Sequence, residues 1–282
     1  MKTRPVRTPY WRPGSDYTAM IVRAVWHHLR DGDIIVISEK AISTAKGRLV
    51  DEAKVVPSLW AKIIARVWMP LVWGYILGPL CRFKAPTIRR LRSYPKREGP
   101  AHKQVALRYG GLLHALKYGS EGGIDLSNLP FSYAALPLED PLRETELIRR
   151  RVEEATGRRT TVIISDTDST FSLRGIHFTS RPNPLKGIHY FPGPLLFVLG
   201  RALGLRQRAT PLAVAGSNLD VEEALKIAER AHHARGYGAG RTVWDMVEGS
   251  TVGVAGVTWE MLSRLRHCPI VLVRMDPEEQ RS

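Results

Sequence analysis

Cysteine is almost missing from this 282-residue chain: there are two, Cys81 and Cys268, far apart in sequence. They form neither a metal-ligand spacing nor a disulfide framework, so both read as buried free thiols in a reducing compartment. Acidic residues are also a minority, 27 against 42 Lys and Arg, leaving a net charge of +15. A surplus of that size asks for an anionic partner: nucleic acid, anionic lipid, or a small substrate rich in phosphate and carboxylate. No helix-turn-helix, zinc-finger or RNA-binding aromatic signature accompanies the charge, which argues against nucleic acid. No apolar core of signal-peptide type follows the basic "MKTRPVRTPYWRPGS". The longest uncharged apolar run, Val67 to Cys81, is interrupted by Pro70 and Pro79 and reads as too short to span a bilayer as a helix. Internal repeats, a nucleophile elbow and P-loop spacing are missing too. "RGYGAGR" (235–241) therefore reads as a helix stop, and the doublets His27-His28 and His232-His233 lack the i, i+4 partners of a metal site.

What is present is ordinary globular composition, 44% hydrophobic and 24% charged, long enough for one large domain or two modest ones. Helical period over 16–29, with Ser15 or Asp16 as cap, precedes a short buried strand, "IIVIS" (34–38). Residues 58–66 read as helical. The proline-bearing basic stretch 82–104 reads as an irregular excursion, and the segment from "VALRYGG" to "GGIDLSN" as sheet-like. A helix over 142–156 stops at Gly157, and "TTVIIS" (160–165) follows as an interior strand. "PLAVAG" reads as a strand, Asn218 or Asp220 caps a helix through Ala234, and "CPIVLVRM" is the last strand. The run Val67–Cys81 beside the basic stretch to Arg97, like the second apolar run Tyr190–Leu205, fits either a buried or subunit contact or an anionic membrane surface.

Two short segments place oxygen ligands after a predicted strand: Asp125 with Ser127 and Asn128, and Asp166, Thr167 and Asp168. Such clusters suit Mg²⁺ or Mn²⁺, which complete their shells with phosphate oxygens and water. Each alone is equally an Asx turn or a loop after a strand.

In order and spacing, "TPYWRPGSDYTAMI", "DGDIIVISEKAISTAKGR", "GGIDLSN", "LIRRRVEEATGRRTTVIISDT" and "RGIHF" resemble the coenzyme F-420 γ-glutamyl ligase family. The resemblance covers most of residues 6–66 and 103–180, and more faintly 247–275. It implies an α+β fold of mixed sheets with packed helices, assembled as an intertwined homodimer, in the cytoplasm. It implies GTP as co-substrate, Mg²⁺ or Mn²⁺, and addition of L-glutamate to an anionic deazaflavin coenzyme precursor through an acyl phosphate. Position by position it implies metal ligands at Asp125, Asp166 and Thr167. Nucleotide contacts fall at Thr8, Pro9, Tyr10, Trp11, Ser43 and Asn128, with Lys40 and Arg174 as candidate phosphate contacts.

Several positions depart from the family pattern. Tyr10 and Trp11 replace aliphatic residues, Thr44 stands where the family has lysine, Lys46 where an acid is common, and Ser169-Thr170 where Gly-Arg is usual. "EMLSRLRHCP" stands where a glycine- and acid-containing nucleotide loop is expected. The expected organisation is a ligase-like part over 1–180, with an apolar-basic excursion at about 67–100, and a part over 181–282 completing the fold. The alternative is a ligase-fold protein without catalysis, binding an anion, a partner or, through residues 67–97, a membrane surface.

Overall fold

Four consecutive side chains of the "IIVIS" strand are buried, as they must be at the centre of a sheet covered on both faces. The computed structural model describes residues 1–238, 240, 245–247 and 256–275. Its strands are β1 (Lys2–Val6), β2 (Ile34–Ser38), β3 (Leu49–Asp51), β4 (Tyr133–Ala135), β5 (Thr161–Leu173), β6 (Ile176–Thr179), β7 (Ile188–Tyr190), β8 (Arg206–Ala215) and β9 (Ile270–Arg274). The main sheet runs β1-β9-β2-β5-β6-β7, with β8 also paired to β5; β3 and β4 form a separate ribbon. β2 lies parallel to β5 and β6 to β7, while the other pairings are antiparallel, so the sheet is mixed and the class is α+β.

The helices are α1 (Tyr17–Val25), α2 (Glu39–Ala45), α3 (Leu59–Ile63), α4 (Gly78–Leu80), α5 (Ala85–Arg92), α6 (Glu98–Tyr109), α7 (Leu112–Ala115), α8 (Pro141–Thr156), α9 (Leu195–Ala202), α10 (Val221–Arg235) and α11 (Trp259–Ser263). Strand alternation sorts the core into two faces. Ile35, Ile37, Val162 and Ile164 meet Ile21 and Val25 of α1, Ile42 of α2, and Ile148 and Val152 of α8. Ile34, Val36, Ile163, Val271 and Val273 meet Ile227 and Ala231 of α10. Local signals fix the helix ends: Asp16 caps α1, Ser58 caps α3, Asp220 forms a capping box with Glu223, and Gly157 ends α8 in the left-handed conformation. Cys81 and Cys268 are buried and unbridged.

Three expectations are corrected. Residues 105–115 are not sheet-like; they belong largely to α6 and α7, and their apolar groups Val105, Ala106 and Ala115 join a separate helical core with Ile64, Met69, Trp73 and Leu91. The stretch 82–104 is not irregular either. Pro86 and Pro100 sit in the first turns of α5 and α6, where a missing N–H breaks no helical bond. Nor does Pro70 break the apolar run. The chain is helical without interruption over Leu59–Leu80, 22 residues, long and apolar enough by length and composition alone to cross a membrane. Its central part, Ile64–Leu77, is a π-helix, closed at its end by the Gly78 N–H donating to the Trp73 carbonyl. The wider turn is the accommodation expected where a proline removes one rung of the ordinary ladder.

Candidate functional site

A cavity of about 560 Å³ opens where β2 passes into α2. Ser38, Lys40 and Thr44 line it from that junction, Tyr10 and Trp11 from the N-terminal loop, and Ser127 and Asn128 from the "GID.SN" segment. Thr167 of β5, Arg208 of β8, Arg235 at the end of α10, and Arg266, His267 and Cys268 ahead of β9 complete its wall. "EMLSRLRHCP", the segment standing where a nucleotide loop was expected, thus borders this cavity with its last residues.

The sequence-selected residues divide. Tyr10, Trp11, Lys40, Asn128 and Thr167 line the cavity. Thr8 sits just behind it: its backbone N–H donates to the His267 carbonyl (3.0 Å), and its hydroxyl to the Pro9 carbonyl (2.9 Å). Tyr10 donates to the Asn128 carbonyl and lies against the His267 ring, centroids 4.4 Å apart, which makes an aromatic shelf. Burial pulls the His267 pKa down to about 4, so the ring is neutral at pH 7, and its Nδ1 donates to the Pro9 carbonyl (3.1 Å). The Asn128 amide donates to the Tyr237 and Gly240 carbonyls, 3.2 Å each. A side chain at Gly238 (φ +60°) would meet Asn128 Oδ1 at 2.5 Å, so glycine lets this strap close on the asparagine. The glycine-rich turn is therefore more than a helix stop, though its Ala239 and Arg241 lie outside the described residues. Ser43 is buried away from the cavity lining, and Arg174 is in the β5–β6 hairpin turn with φ +49°.

Both acidic segments carry a cationic partner. Lys40 Nζ donates to Asp125 Oδ2 and Ser127 Oγ, each at 2.7 Å. Asp166 is not at a strand's end: β5 continues to Leu173, and the residue sits where the β5–β8 register is interrupted by a bulge. Its Oδ2 accepts from Arg181 Nε at 2.6 Å, and Arg181 Nη2 also reaches both carboxylate oxygens of Glu39 at 2.6 and 2.5 Å. Burial opposes this charge, but Glu39 and Asp166 outweigh it and hold the Arg181 guanidinium ionised. The same guanidinium lies over Gly123 (φ +90°), where an added Cβ would stand 2.6 Å from its central carbon. Arg181 thus ties "GGID" to "SDT". Sequence reasoning missed Arg181 and Glu39, for a lone arginine in "SRPNP" has no pattern.

Of the expected metal set, Asp125, Asp166 and Thr167, both carboxylates are engaged in ion pairs in this arrangement. Each carboxylate is neutralised by an ammonium or guanidinium, and among the described residues no three His, Cys, Asp or Glu side chains group to hold a metal ion. Asp168 differs from both: it is buried, its Oδ2 has no partner, and burial followed by the Asp166 charge pushes its pKa up to about 7.

Arg235 also has unpartnered atoms, as do Trp11 at Nε1 and Arg208 at Nε, both in the cavity lining. Among the described residues the Nε and Nη2 of Arg235 are buried in the cavity wall without a hydrogen-bond partner, and burial, opposed by the Asp166 charge, lowers its pKa to about 10, leaving it charged at pH 7. An uncompensated buried cation is costly unless something anionic meets it.

The family model described as F420-0:gamma-glutamyl ligase matches residues 5–192. An uncharacterized protein of Methanocaldococcus jannaschii is 33% identical over the whole of both chains. Coenzyme F420:L-glutamate ligases of Archaeoglobus fulgidus and Methanopyrus kandleri are each 31% identical, over 60% and 58% of either chain respectively. The chain thus matches about three fifths of the length of these two ligases. The family match spans well over half of the chain, which therefore belongs to the F420-0:gamma-glutamyl ligase family.

Proposed function

We propose that the protein forms an amide bond between an anionic carboxylate substrate and an amino acid, using a nucleoside triphosphate bound in the 560 Å³ cavity. The carrying observation is Arg235, whose Nε and Nη2 are buried in the wall of that cavity with no hydrogen-bond partner among the described residues. It asks for a phosphate or carboxylate, and the Tyr10–His267 shelf offers a flat ring a stacking surface.

By family resemblance the nucleotide is GTP, the acceptor a deazaflavin coenzyme precursor and the amine L-glutamate. The acceptor carboxylate oxygen bonds to the γ-phosphorus while the bond to the β–γ bridging oxygen breaks and GDP leaves. The glutamate nitrogen then attacks the acyl carbon, inorganic phosphate departs, and the nitrogen's proton passes to solvent. The chain's own part is to bind and orient: Arg235 and Lys40 face anionic oxygens, and Asn128 is held by the glycine strap. Mg²⁺ or Mn²⁺ enters this reading as the nucleotide's counter-ion, and a homodimer as its assembly.

Calorimetric titration of GTP and ATP, each with Mn²⁺ and with EDTA, tests the reading on wild type and Arg235→Met. Nucleotide binding weakened roughly tenfold or more by the substitution is expected, since a hydrogen bond to a charged group contributes about 1.5–3 kcal/mol. Failure of the wild type to bind either nucleotide, or equal binding by the variant, would overturn it. Light scattering after size exclusion reads the dimer. Asp166→Ala is a poor probe, because it strips a partner from Arg181 as well as altering the site.

A further inference from the structure

Between Glu52 and Glu98 the chain has ten Lys and Arg residues and no carboxylate. The Leu59–Leu80 helix within this stretch has two apolar faces. One, with Ile64, Met69 and Trp73, is buried in the helical core. The other is a ridge of exposed side chains, Leu59, Ile63, Val67, Leu71, Ile76 and Leu80, with Leu59 71% and Leu71 55% exposed. Steps of four to five residues fall near one turn in the π-helical part, so the ridge keeps one face. Trp60 and Tyr75 are exposed on the same helix, as are the cations Lys62 and Arg66.

The apolar surface extends past the helix. α4 packs on α9, and Arg201 of α9 donates to the Cys81 carbonyl (3.3 Å). α9 repeats the pattern: Val198 is buried, whereas Leu195, Leu199 and the following Leu203 are exposed. Arg82, Lys84 and Arg89, all exposed, lie on the connection after α4 and on α5.

Three occupants present themselves for an apolar ridge with basic flanks. A second copy of the same face would bring cations against cations. Nucleic acid would satisfy the cations and leave the leucines wet. An anionic bilayer satisfies both, its acyl boundary taking the ridge and its headgroups the cations. We propose that the Leu59–Leu80 helix and α9 form a docking surface for an anionic lipid bilayer, with the helix lying in the interface plane. The buried Ile64–Met69–Trp73 face holds it against the protein, so it does not cross. This reading is independent of the chemistry in the cavity.

Flotation of the full chain with phosphatidylcholine vesicles, with and without phosphatidylglycerol, tests it. Wild type should float with the anionic vesicles and stay behind with the neutral ones. Leu71→Glu should lose at least tenfold in partitioning, because burial of a leucine side chain is replaced by a charge that the headgroups repel. The pair Arg82→Glu and Arg89→Glu should lose roughly thirtyfold or more, from two basic contacts near the surface. Thermal melts of both variants should match wild type, since the altered side chains are exposed. No flotation with anionic vesicles at low salt would overturn the proposal, as would Leu71→Glu floating as well as wild type. Light scattering provides the remaining arm: a dimer that Leu71→Glu dissociates would show that a second copy covers the ridge, which also overturns it.

Discussion

The helical core and the cavity both bury charge, and they treat it in opposite ways. In the helical core Lys103 Nζ donates to Glu121 (2.7 Å) and to the Lys117 carbonyl (2.8 Å), while His102 reaches Glu52 and Glu121 through its two ring nitrogens (2.7 and 3.2 Å). Burial works against Glu121 ionising, yet Lys103 and His102 overcome it and hold its pKa below the carboxylate range. In the cavity wall the Nε and Nη2 of Arg235 have no such partner among the described residues. A closed network serves the fold. A cation left open beside a cavity fits the proposed role of holding a ligand.

The largest effect that would break this comparison belongs to the closed side. Glu121→Ala strands Lys103 and His102, and should destabilise by roughly 3–5 kcal/mol in urea unfolding. The double variant Lys103→Met with Glu121→Leu should recover much of that loss, because an apolar pair needs no compensation. On the open side the sign reverses. Arg235→Met should raise stability by about 1 kcal/mol while weakening nucleotide binding, the trade expected of a residue kept for a ligand. If it destabilises as Glu121→Ala does, the contrast fails.

A smaller effect sharpens the comparison through pH. Burial opposes a charged His102, but Glu52 and Glu121 outweigh it and raise its pKa to about 10. A folded-state pKa above the unfolded value gives stability that is fully present below pH ~6.5 and is lost as pH rises through about 10. Unfolding free energy should therefore fall across that window in wild type, and less steeply in His102→Gln. The smallest effect is expected at the hairpin. Arg174→Ala should change stability by under about 0.5 kcal/mol and leave nucleotide binding unchanged, because the turn lies off the cavity lining.

The sheet was legible where burial is continuous: "IIVIS" and "TTVIIS" are strands because both faces of β2 and β5 are covered, and a β-branched run is the only pattern such a strand can show. α8 and α10 were legible from their caps and stops. The helical core was legible only at its start, residues 58–66. Prolines at 86 and 100 read as breakers because their role depends on where in a turn they fall, and that position is known only once the helix is placed. Within the site, Asp125, Asn128 and Thr167 could be found because they sit in spaced motifs. Arg181 and Arg235 could not, since each acts alone, one from "SRPNP" and the other from the last turn of a helix, where an arginine is ordinary.

The order β1-β9-β2 has a consequence for how the molecule is made. β9 hydrogen-bonds to β1 on one side, Lys2 opposite Arg274, and to β2 on the other, Ile34 opposite Val273. A nascent chain leaving the ribosome therefore carries β1 and β2 with a vacant slot between them until the whole stretch from Ser38 to Ile270 has been synthesised. If β1 zips onto β2 early, the late strand has nowhere to enter, and the polypeptide is caught with an unfilled groove and a sticky free segment. The strand that joins β1 to β2 thus emerges only after β5 and β8.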